Sequence, residues 1–233
     1  MRVVVLTGAG ISAESGLPTF RDADGLWEGH RPEQVATPEA YADEPDLVHR
    51  FYDARRAALL TVSPNPAHEA LARLGGVLHD DLFVVTQNID DLHERAGSTR
   101  VHHLHGELRK ARCTACATVH RWDGDLVERP ACSGCGERGL RPHVVWFGEV
   151  PFGMDDVATA LETADLFVSI GTSGSVYPAA GFVQGARAAG AATLELNLVP
   201  SEGSAWFDEA RHGPASELVP AWVAELTDQV EGR

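Results

Sequence analysis

Lysine is almost absent from this 233-residue chain. Lys110 is its only one, and every other side chain counted as a strong base is arginine. A GC-rich genome accounts for that bias without invoking a mechanism. Cations of both kinds are few: 19 Lys and Arg stand against 34 Asp and Glu, for a formal net charge of −15. A field of that sign repels polyanions, so nucleic acid and anionic membrane surfaces are disfavoured as partners. Screening confines exposed charges to about 8 Å at physiological salt, which leaves a local arginine free to hold a small anion. No apolar run approaches the roughly 18 residues needed to cross a bilayer. Met1-Arg2 leads straight into the short apolar run at residues 3–6, unlike a secretory leader, and the expected location is cytoplasmic. Cysteine is scarce too. The chain has four, none of them left over for a disulfide or a catalytic thiol.

Those four form two pairs, Cys113-x-x-Cys116 and Cys132-x-x-Cys135. Each pair sets two thiolates on one tight turn, and two facing turns complete a tetrahedron, which is the spacing of a closed zinc site rather than of two redox motifs. Four thiolates leave no open position for water or substrate. The metal is therefore expected to be structural, with the chemistry elsewhere, and thiols spent on metal suit a reducing compartment.

Hydrophobic content of 44% is ordinary for a globular protein. Residues 3–7 (VVVLT) read as a buried strand, and residues 82–86, 166–170 and 192–198 follow the same pattern. Helical patterns fall at 65–78, 155–163, 178–189 and 215–230. Strands alternating with helices predict an α/β fold, a doubly wound parallel sheet. Two stretches break the alternation. Residues 21–61 are rich in charge, aromatics and proline, with a helix over 46–60, and residues 106–142 carry the cysteines. Both are read as excursions that together build a smaller domain.

Gly8-Ala9-Gly10-Ile11-Ser12-Ala13 fits G-x-G-x-x-G/A directly after a strand, where glycines let backbone amides approach a pyrophosphate. The acidic residue that dehydrogenases carry on the next strand is missing, since Asp22 and Asp24 fall in a loop. The motif is thus either a structural glycine turn or a dinucleotide site of another kind. Gln87-Asn88-Ile89-Asp90 lies at the carboxyl end of the second strand, where ligands bind in open α/β sheets. Its amides and carboxylate could hold a polar ligand or simply cap the next helix. Three histidines crowd into residues 102–105, and a histidine near neutral pKa suits a general base acting on a hydroxyl. His105, directly before a glycine, stands out. Gly171-Thr172-Ser173 and Asn197 again lie at strand ends, so several polar turns converge on one edge.

These segments together resemble the sirtuin family of NAD-dependent protein deacylases. The matching stretches are GAGISAESGLPTFR (8–21), TQNID (86–90), LHG (104–106), both C-x-x-C pairs, VVWFGE (144–149), GTS (171–173) and LNL (196–198). They run through essentially the whole chain in the family's order. The resemblance implies a single catalytic domain over residues 1–233. Its Rossmann-like NAD-binding part would comprise about 1–21, 81–105 and 144–233. The small domain would join a helical insertion, about 22–80, to a zinc ribbon, about 106–143. NAD would be consumed as a co-substrate, with one structural zinc ion, and the acyl-lysine peptide would bind between the two parts.

Residue by residue, the resemblance assigns NAD contacts to Gly8, Ala9, Gly10, Ala13, Phe20, Arg21, Gln87, Asn88, Ile89 and Asp90. On the adenosine side it assigns Gly171, Thr172, Ser173, Asn197, Leu198, Val199 and Ala215. His105 matches the general base and Asn88 a catalytic partner near the nicotinamide. Val144, Phe147, Gly148 and Glu149 match a strand that pairs with the substrate backbone. Tyr52 and Arg55, three apart on the helix of the small domain, resemble the pair that marks sirtuins accepting succinyl and malonyl groups; arginine would bind the distal carboxylate while tyrosine donates a further hydrogen bond. Mono-ADP-ribosyl transfer from the same NAD site and a non-catalytic zinc-ribbon binding module are the rival readings. A monomer, with no nucleic acid or membrane partner, is expected.

Overall fold

The computed structural model describes residues 1–19, 27 and 29–232. Nine strands occur in it: β1 Val3–Thr7, β2 Leu82–Thr86, β3 Val101–His103, β4 Gly106–Cys113, β5 Val119–Arg121, β6 Leu140–Val144, β7 Leu166–Ile170, β8 Ala192–Asn197 and β9 Glu209–His212. Six of them form one sheet in the order β3-β2-β1-β7-β8-β9, and every neighbour pair is parallel. The order runs outward in both directions from β1, so the crevice between β1 and β7 is the topological switch point of a doubly wound sheet. The remaining three form a small antiparallel sheet, β5-β4-β6.

Alternation within β1 explains why it is central. Val3 and Val5 face a core with Leu71 and Leu74 of the helix Pro66–Leu78 and Trp222 and Val223 of the helix Ala215–Glu231. Val4 and Leu6 face the opposite core, with Val157 and Leu161 of the helix Met154–Glu162 and Phe182 and Val183 of the helix Phe182–Ala188. A strand covered on both faces must be largely apolar, as Val3 to Leu6 are, and the one polar residue, Thr7, is buried with its hydroxyl hydrogen-bonded. Each buried aliphatic side chain contributes roughly 1.5–3 kcal/mol relative to exposure.

The sequence expectations for β1, β2 and β7 match residue for residue, and β8 ends one residue early at Asn197. Two strands of the large sheet were not foreseen, and the strands of the small sheet fall in the stretch read only as a cysteine-bearing excursion. β3 and β9 are short, polar edge strands, Val-His-His and Glu-Ala-Arg-His, without the near-continuous burial of the other four strands of the large sheet. The helix expected over 178–189 begins as a 3₁₀ turn, Ala179–Gly181, and becomes α-helical only at Phe182. Where the pattern predicted a helix from 65, Asn65 is the cap. Its side chain accepts from Ala67 N at 3.0 Å, Pro66 occupies the first position, where its missing N–H costs nothing, and His68 closes a capping box. No helix among the described residues is long and apolar enough to cross a membrane.

The helix Pro45–Leu59 joins the short helices Pro32–Val35 and Pro38–Asp43 around a third core that includes Phe51, Tyr52, Leu59, Leu108 and Trp146. One buried ion pair ties this helix to the cysteine-bearing segment. The side chains of Arg56 and Asp53 are 1% and 7% exposed and 2.7 Å apart. Arg56 also donates to Leu108 O at 2.9 Å and Gly124 O at 3.1 Å, and Asp53 accepts from Leu126 N and Val127 N at 2.9 and 3.0 Å. Removing Asp53 would strand a buried guanidinium and two backbone amides. Asp53→Ala is expected to cost about 3–5 kcal/mol in urea unfolding; a change below about 1 kcal/mol would show that the pair does not hold the ribbon segment to the helix.

Candidate active site

The carboxyl ends of β1 and β7 touch backbone to backbone. Gly8 N donates to Ile170 O at 3.0 Å and Gly10 N to Gly171 O at 2.8 Å. A Cβ on Gly10 would lie 2.7 Å from Gly171 Cα, and one on Gly171, whose φ is +62°, would lie 2.5 Å from Ile11 N. The glycines are therefore required by the protein's own packing, whatever ligand approaches them. The helix that follows, Ala9–Ala13, is a single five-residue turn, much shorter than the usual dinucleotide-binding helix. Phe20 and Arg21 lie outside the described residues.

The turn after β2 is fastened to this one. Gln87 N donates to Thr7 O at 2.9 Å, and Asn88 N donates to Thr86 Oγ1 at 3.0 Å. The Asn88 amide donates to Gly8 O at 3.1 Å and to Ser12 Oγ at 3.2 Å. Donor counting orients what lies beneath. His68 Nδ1 accepts from Asn65 N, so its Nε2 carries the proton and donates to Ser12 Oγ at 3.4 Å. Ser12, accepting twice, sends its own proton to Asp90 Oδ2 at 3.0 Å, and Leu92 N donates to Asp90 Oδ1 at 3.1 Å. Burial pushes the Asp90 carboxyl above its ordinary range, against the pull of those two donors. Burial also lowers His68 to about 4 and takes His93 well below 6.5, so both rings are neutral. His93 in turn donates to Thr7 Oγ1 at 3.0 Å, and Thr7 donates to Thr86 Oγ1 at 2.8 Å.

His105 occupies the joint between the two sheets, after β3 and before β4. Three backbone bonds pin the joint: Leu104 N to Thr86 O, Val145 N to His105 O and Phe152 N to Leu104 O, at 2.9, 2.8 and 2.9 Å. Gly106 has φ +77°, and a Cβ there would sit 2.1 Å from His143 O, so the residue after His105 must be glycine. The His105 ring lies with Nδ1 2.9 Å from Gln87 O. A carbonyl only accepts, so Nδ1 holds the proton and Nε2 keeps its lone pair, the form required of a proton acceptor. Burial lowers its pKa, partly offset by the Gln87 bond, which favours that neutral form.

Across the switch point, Asn197 links two turns. Its Nδ2 donates to Thr172 O at 2.8 Å, its Oδ1 accepts from Leu198 N at 3.1 Å, and Gly171 N donates to Leu196 O at 3.0 Å. Ser173 is exposed, as are Leu198 and Val199, the latter two at 67% and 62%. Ala215 opens the last helix, where Ser216 N and Oγ donate to the Glu14 carboxylate at 2.9 and 2.6 Å. Ala9, Ala13 and Ile89 lie partly exposed on the same turns.

The segment 144–149 departs from its expectation. Only Val144 is in a strand; a turn follows, with Gly148 at φ +89°. Val145 N and Phe147 N are committed to His105 O and Ala36 O. The Glu149 carboxylate accepts from Arg141, Arg112 and Trp146 N, at 2.7, 2.9 and 2.9 Å, and so holds the turn in shape. Phe147 remains 45% exposed. Nearby, Tyr52 is 2% exposed and its hydroxyl accepts from Trp146 Nε1 at 3.0 Å. The Arg55 guanidinium lies 4.4 Å from the centroid of the Trp27 ring.

Cys113, Cys116, Cys132 and Cys135 place their four sulfurs within 4.8 Å of one another. The Cys113–Cys135 and Cys116–Cys132 pairs are each 3.7 Å apart. A zinc–sulfur distance of about 2.3 Å in a tetrahedron requires sulfurs roughly 3.8 Å apart, so the donor set fits a closed structural zinc. Gly134 N donates to Cys132 Sγ at 3.3 Å, and His120 Nε2 lies 3.2 Å from the same sulfur.

Of the residues expected from sequence, those on the turns after β1, β2, β7 and β8 gather with His105 at one carboxyl edge, whereas Tyr52 and Val144 belong to the third core, Arg55 lies at Trp27, and the four cysteines form their own cluster. Sequence reading missed the supports: His68, His93, Thr7 and the hydroxyl of Ser12. Ser12 had a signal, because it lies inside the Gly-rich motif. His68 had none, being a helix-capping histidine 56 residues from the serine that it touches.

A family model described as the Sir2 family matches residues 8–178. An NAD-dependent protein deacylase of Yersinia pestis is 59% identical over 227 residues, covering 96% of this chain and 82% of the relative. One from Escherichia coli (strain K12) is 57% identical over 228 residues, covering 97% and 82%. Among solved structures, a Sir2 homologue in complex with NAD superimposes with a TM-score of 0.90 at 40% identity, over 98% of this chain and 90% of that one. A Sir2 protein with deacetylated p53 peptide and 3′-O-acetyl ADP ribose gives 0.85 at 28%, over 97% and 94%.

Because a tetrathiolate site forms only in the folded chain, metal binding and folding are linked. Cys132→Ser is expected to lose bound zinc by elemental analysis and to lower the thermal midpoint sharply. A zinc-free variant of unchanged stability would contradict a structural metal.

Proposed function

The chain belongs to the Sir2 family, and from that premise we propose how its residues divide the work of an NAD-dependent protein deacylase and which acyl groups it removes. The observation that carries the reading is His105: a neutral ring, fixed through Nδ1 to Gln87 O, at the joint beside the Gly8, Asn88 and Asp90 cluster. NAD and an acyl-lysine side chain are the substrates, and nicotinamide leaves as the acyl oxygen bonds to C1′ of the ribose. Asn88 and Asp90, with Gln87, Ile89 and the turn at Gly8, Ala9, Gly10 and Ala13, orient the nicotinamide ribose. Thr172, Ser173, Asn197, Leu198, Val199 and Ala215 receive the adenosine end. His105 Nε2 accepts a proton from the ribose hydroxyl pair, so that the 2′-oxygen attacks the imidate carbon. Water completes the transfer, giving free lysine and O-acyl-ADP-ribose. The four cysteines supply only a rigid ribbon.

Tyr52 and Arg55 extend the reading to succinyl- and malonyl-lysine. Burial raises the Tyr52 phenol, which therefore stays protonated, and because Trp146 already donates to its oxygen, its own O–H remains to give. The Arg55 guanidinium, stacked at Trp27 one helical turn on, adds the charge that a distal carboxylate requires. A substrate peptide runs along residues 144–149. With Val145 and Phe147 amides committed, the chain offers it mainly carbonyl oxygens, a backbone contact that tolerates many sequences.

His105→Asn is expected to fold and to lose deacylation by about 10²–10⁴-fold, the usual worth of a general base. In the native enzyme the acid limb should lie below the ordinary imidazole value of 6.5. Normal turnover by the variant would remove the assignment, and transfer of radiolabel from NAD to protein without O-acyl-ADP-ribose would point to ADP-ribosyl transfer instead.

For Arg55→Met, the ratio of desuccinylation to deacetylation should fall by about ten- to a hundredfold, the worth of one charge-assisted hydrogen bond. Mass spectrometry of the same peptide carrying either group decides it; equal loss of both activities would sink the carboxylate clamp.

A further inference from the structure

His103, two residues before His105, faces the same turn. Its Nδ1 lies 3.2 Å from Asn88 O and its Nε2 lies 2.8 Å from Glu94 Oε1. Carbonyl and carboxylate oxygens both accept only, so satisfying both bonds takes two ring protons, and the ring must be an imidazolium. Two histidines on one short run therefore grip consecutive carbonyls, Gln87 through a neutral His105 and Asn88 through a cationic His103.

We propose that His103 is a positioning residue that, as a cation paired with Glu94, holds the Asn88 turn and sets an upper pH limit on deacylation. The proposal rests on the reading of Asn88 and His105 as active-site residues. Losing one proton leaves a single N–H for two acceptors, and the charged carboxylate of Glu94 is the stronger. The proton then stays on Nε2, a nitrogen lone pair faces Asn88 O at 3.2 Å, and the turn must move. The movement reaches the cofactor face, because the Asn88 side chain is bonded to Gly8 and Ser12.

The charged groups around the ring fit this picture. Glu94 comes from the helix Leu92–Arg95 and Glu107 from β4, and both favour the cation. Asp90 on the turn and the neutral His93 both feel its charge. Burial alone would lower the His103 pKa, but the Glu94 bond and charge outweigh it and the net shift is upward. The ring side chain is 8% exposed while Glu94 is 40% exposed, so solvent weakens the pair without abolishing it. With the folded pKa raised, the contribution is complete below about 6.5 and is lost as pH rises through the folded value. His105 sets the opposite, acid limb.

The test is a set of pH profiles of kcat/KM for NAD, by nicotinamide release, for the native enzyme, Glu94→Gln and His103→Gln, together with ¹⁵N NMR titration of the native His103 ring. Glu94→Gln should move the alkaline limb down by about one pH unit and leave the acid limb in place. His103→Gln should be about tenfold slower at neutral pH, one charge-assisted bond's worth, with the deficit shrinking above the native limb. The NMR titration should place His103 above 6.5. An unmoved limb in active Glu94→Gln, or a His103 ring that is neutral at pH 6.5, overturns the proposal. If the native protein releases no nicotinamide, the functional reading fails instead, and the ring titration still decides the charge on His103.

Discussion

The contact between Gly10 and Gly171 sets the rest of the candidate site. Parallel pairing brings β1 and β7 side by side, but their turns could not close to hydrogen-bond distance with a side chain at either position. Closure puts Gly8 O where the Asn88 amide can reach it, and Ser12 where Asn88, His68 and Asp90 converge. The Asn88 amide nitrogen, the Ser12 hydroxyl, the His68 ring and the Asp90 carboxylate each have a role set by their neighbours, and low dielectric makes such bonds stiff. The site is thus positioned by backbone geometry first and by side chains second.

The same economy joins the two sheets. His105 and Gly106 form the passage from β3 to β4, so the strand that enters the cysteine-bearing module begins at the candidate base. The β4–β6 register slips between Glu107 and Ala111, and Arg109 in that irregular stretch bonds Asp91 at 2.7 Å and Asp123 at 2.6 Å. Asp91 follows Asp90 directly. Leu108 N adds a backbone bond to Ile89 O at 2.7 Å. A closed thiolate site can therefore matter to chemistry without touching substrate: it stiffens the module from which these two contacts reach the Gln87–Asp91 turn.

Legibility followed burial. β1, β2 and β7 were readable because a strand covered on both faces tolerates little but apolar residues, and the cysteines because metal geometry fixes their spacing. β3 was unreadable for the converse reason: an edge strand made of Val-His-His carries no periodic signal, and its histidines looked like a cluster rather than a strand. The Gly-rich motif was left open between a structural glycine turn and a dinucleotide site, and packing against Gly171 accounts for the glycines before any ligand does. Residues 144–149 were expected to be a strand, and the turn that replaces most of it depends on the Glu149 bonds to Arg141 and Arg112, which one-dimensional pattern does not show. The supports of the site were hidden because they come from elements distant in sequence.

The acidity of the chain and the anionic character of its proposed substrates need not conflict. Most of the −15 charge is exposed and screened within about 8 Å, whereas the groups that would meet phosphate or ribose on the turns after β1, β7 and β8 are backbone amides, hydroxyls and carboxamides. Such groups bind by direction rather than by field, so the sign of the surface matters little to them. The distal carboxylate of the proposed acidic acyl group is different, because it would have to leave water near Tyr52, which is almost fully buried. There a guanidinium is worth more than on the surface, and Arg55 beside the Trp27 ring is a weakly hydrated cation in a partly apolar setting. On the proposed reading, selectivity for acidic acyl groups would be a matter of local desolvation, which a strongly acidic protein can sustain as readily as a neutral one.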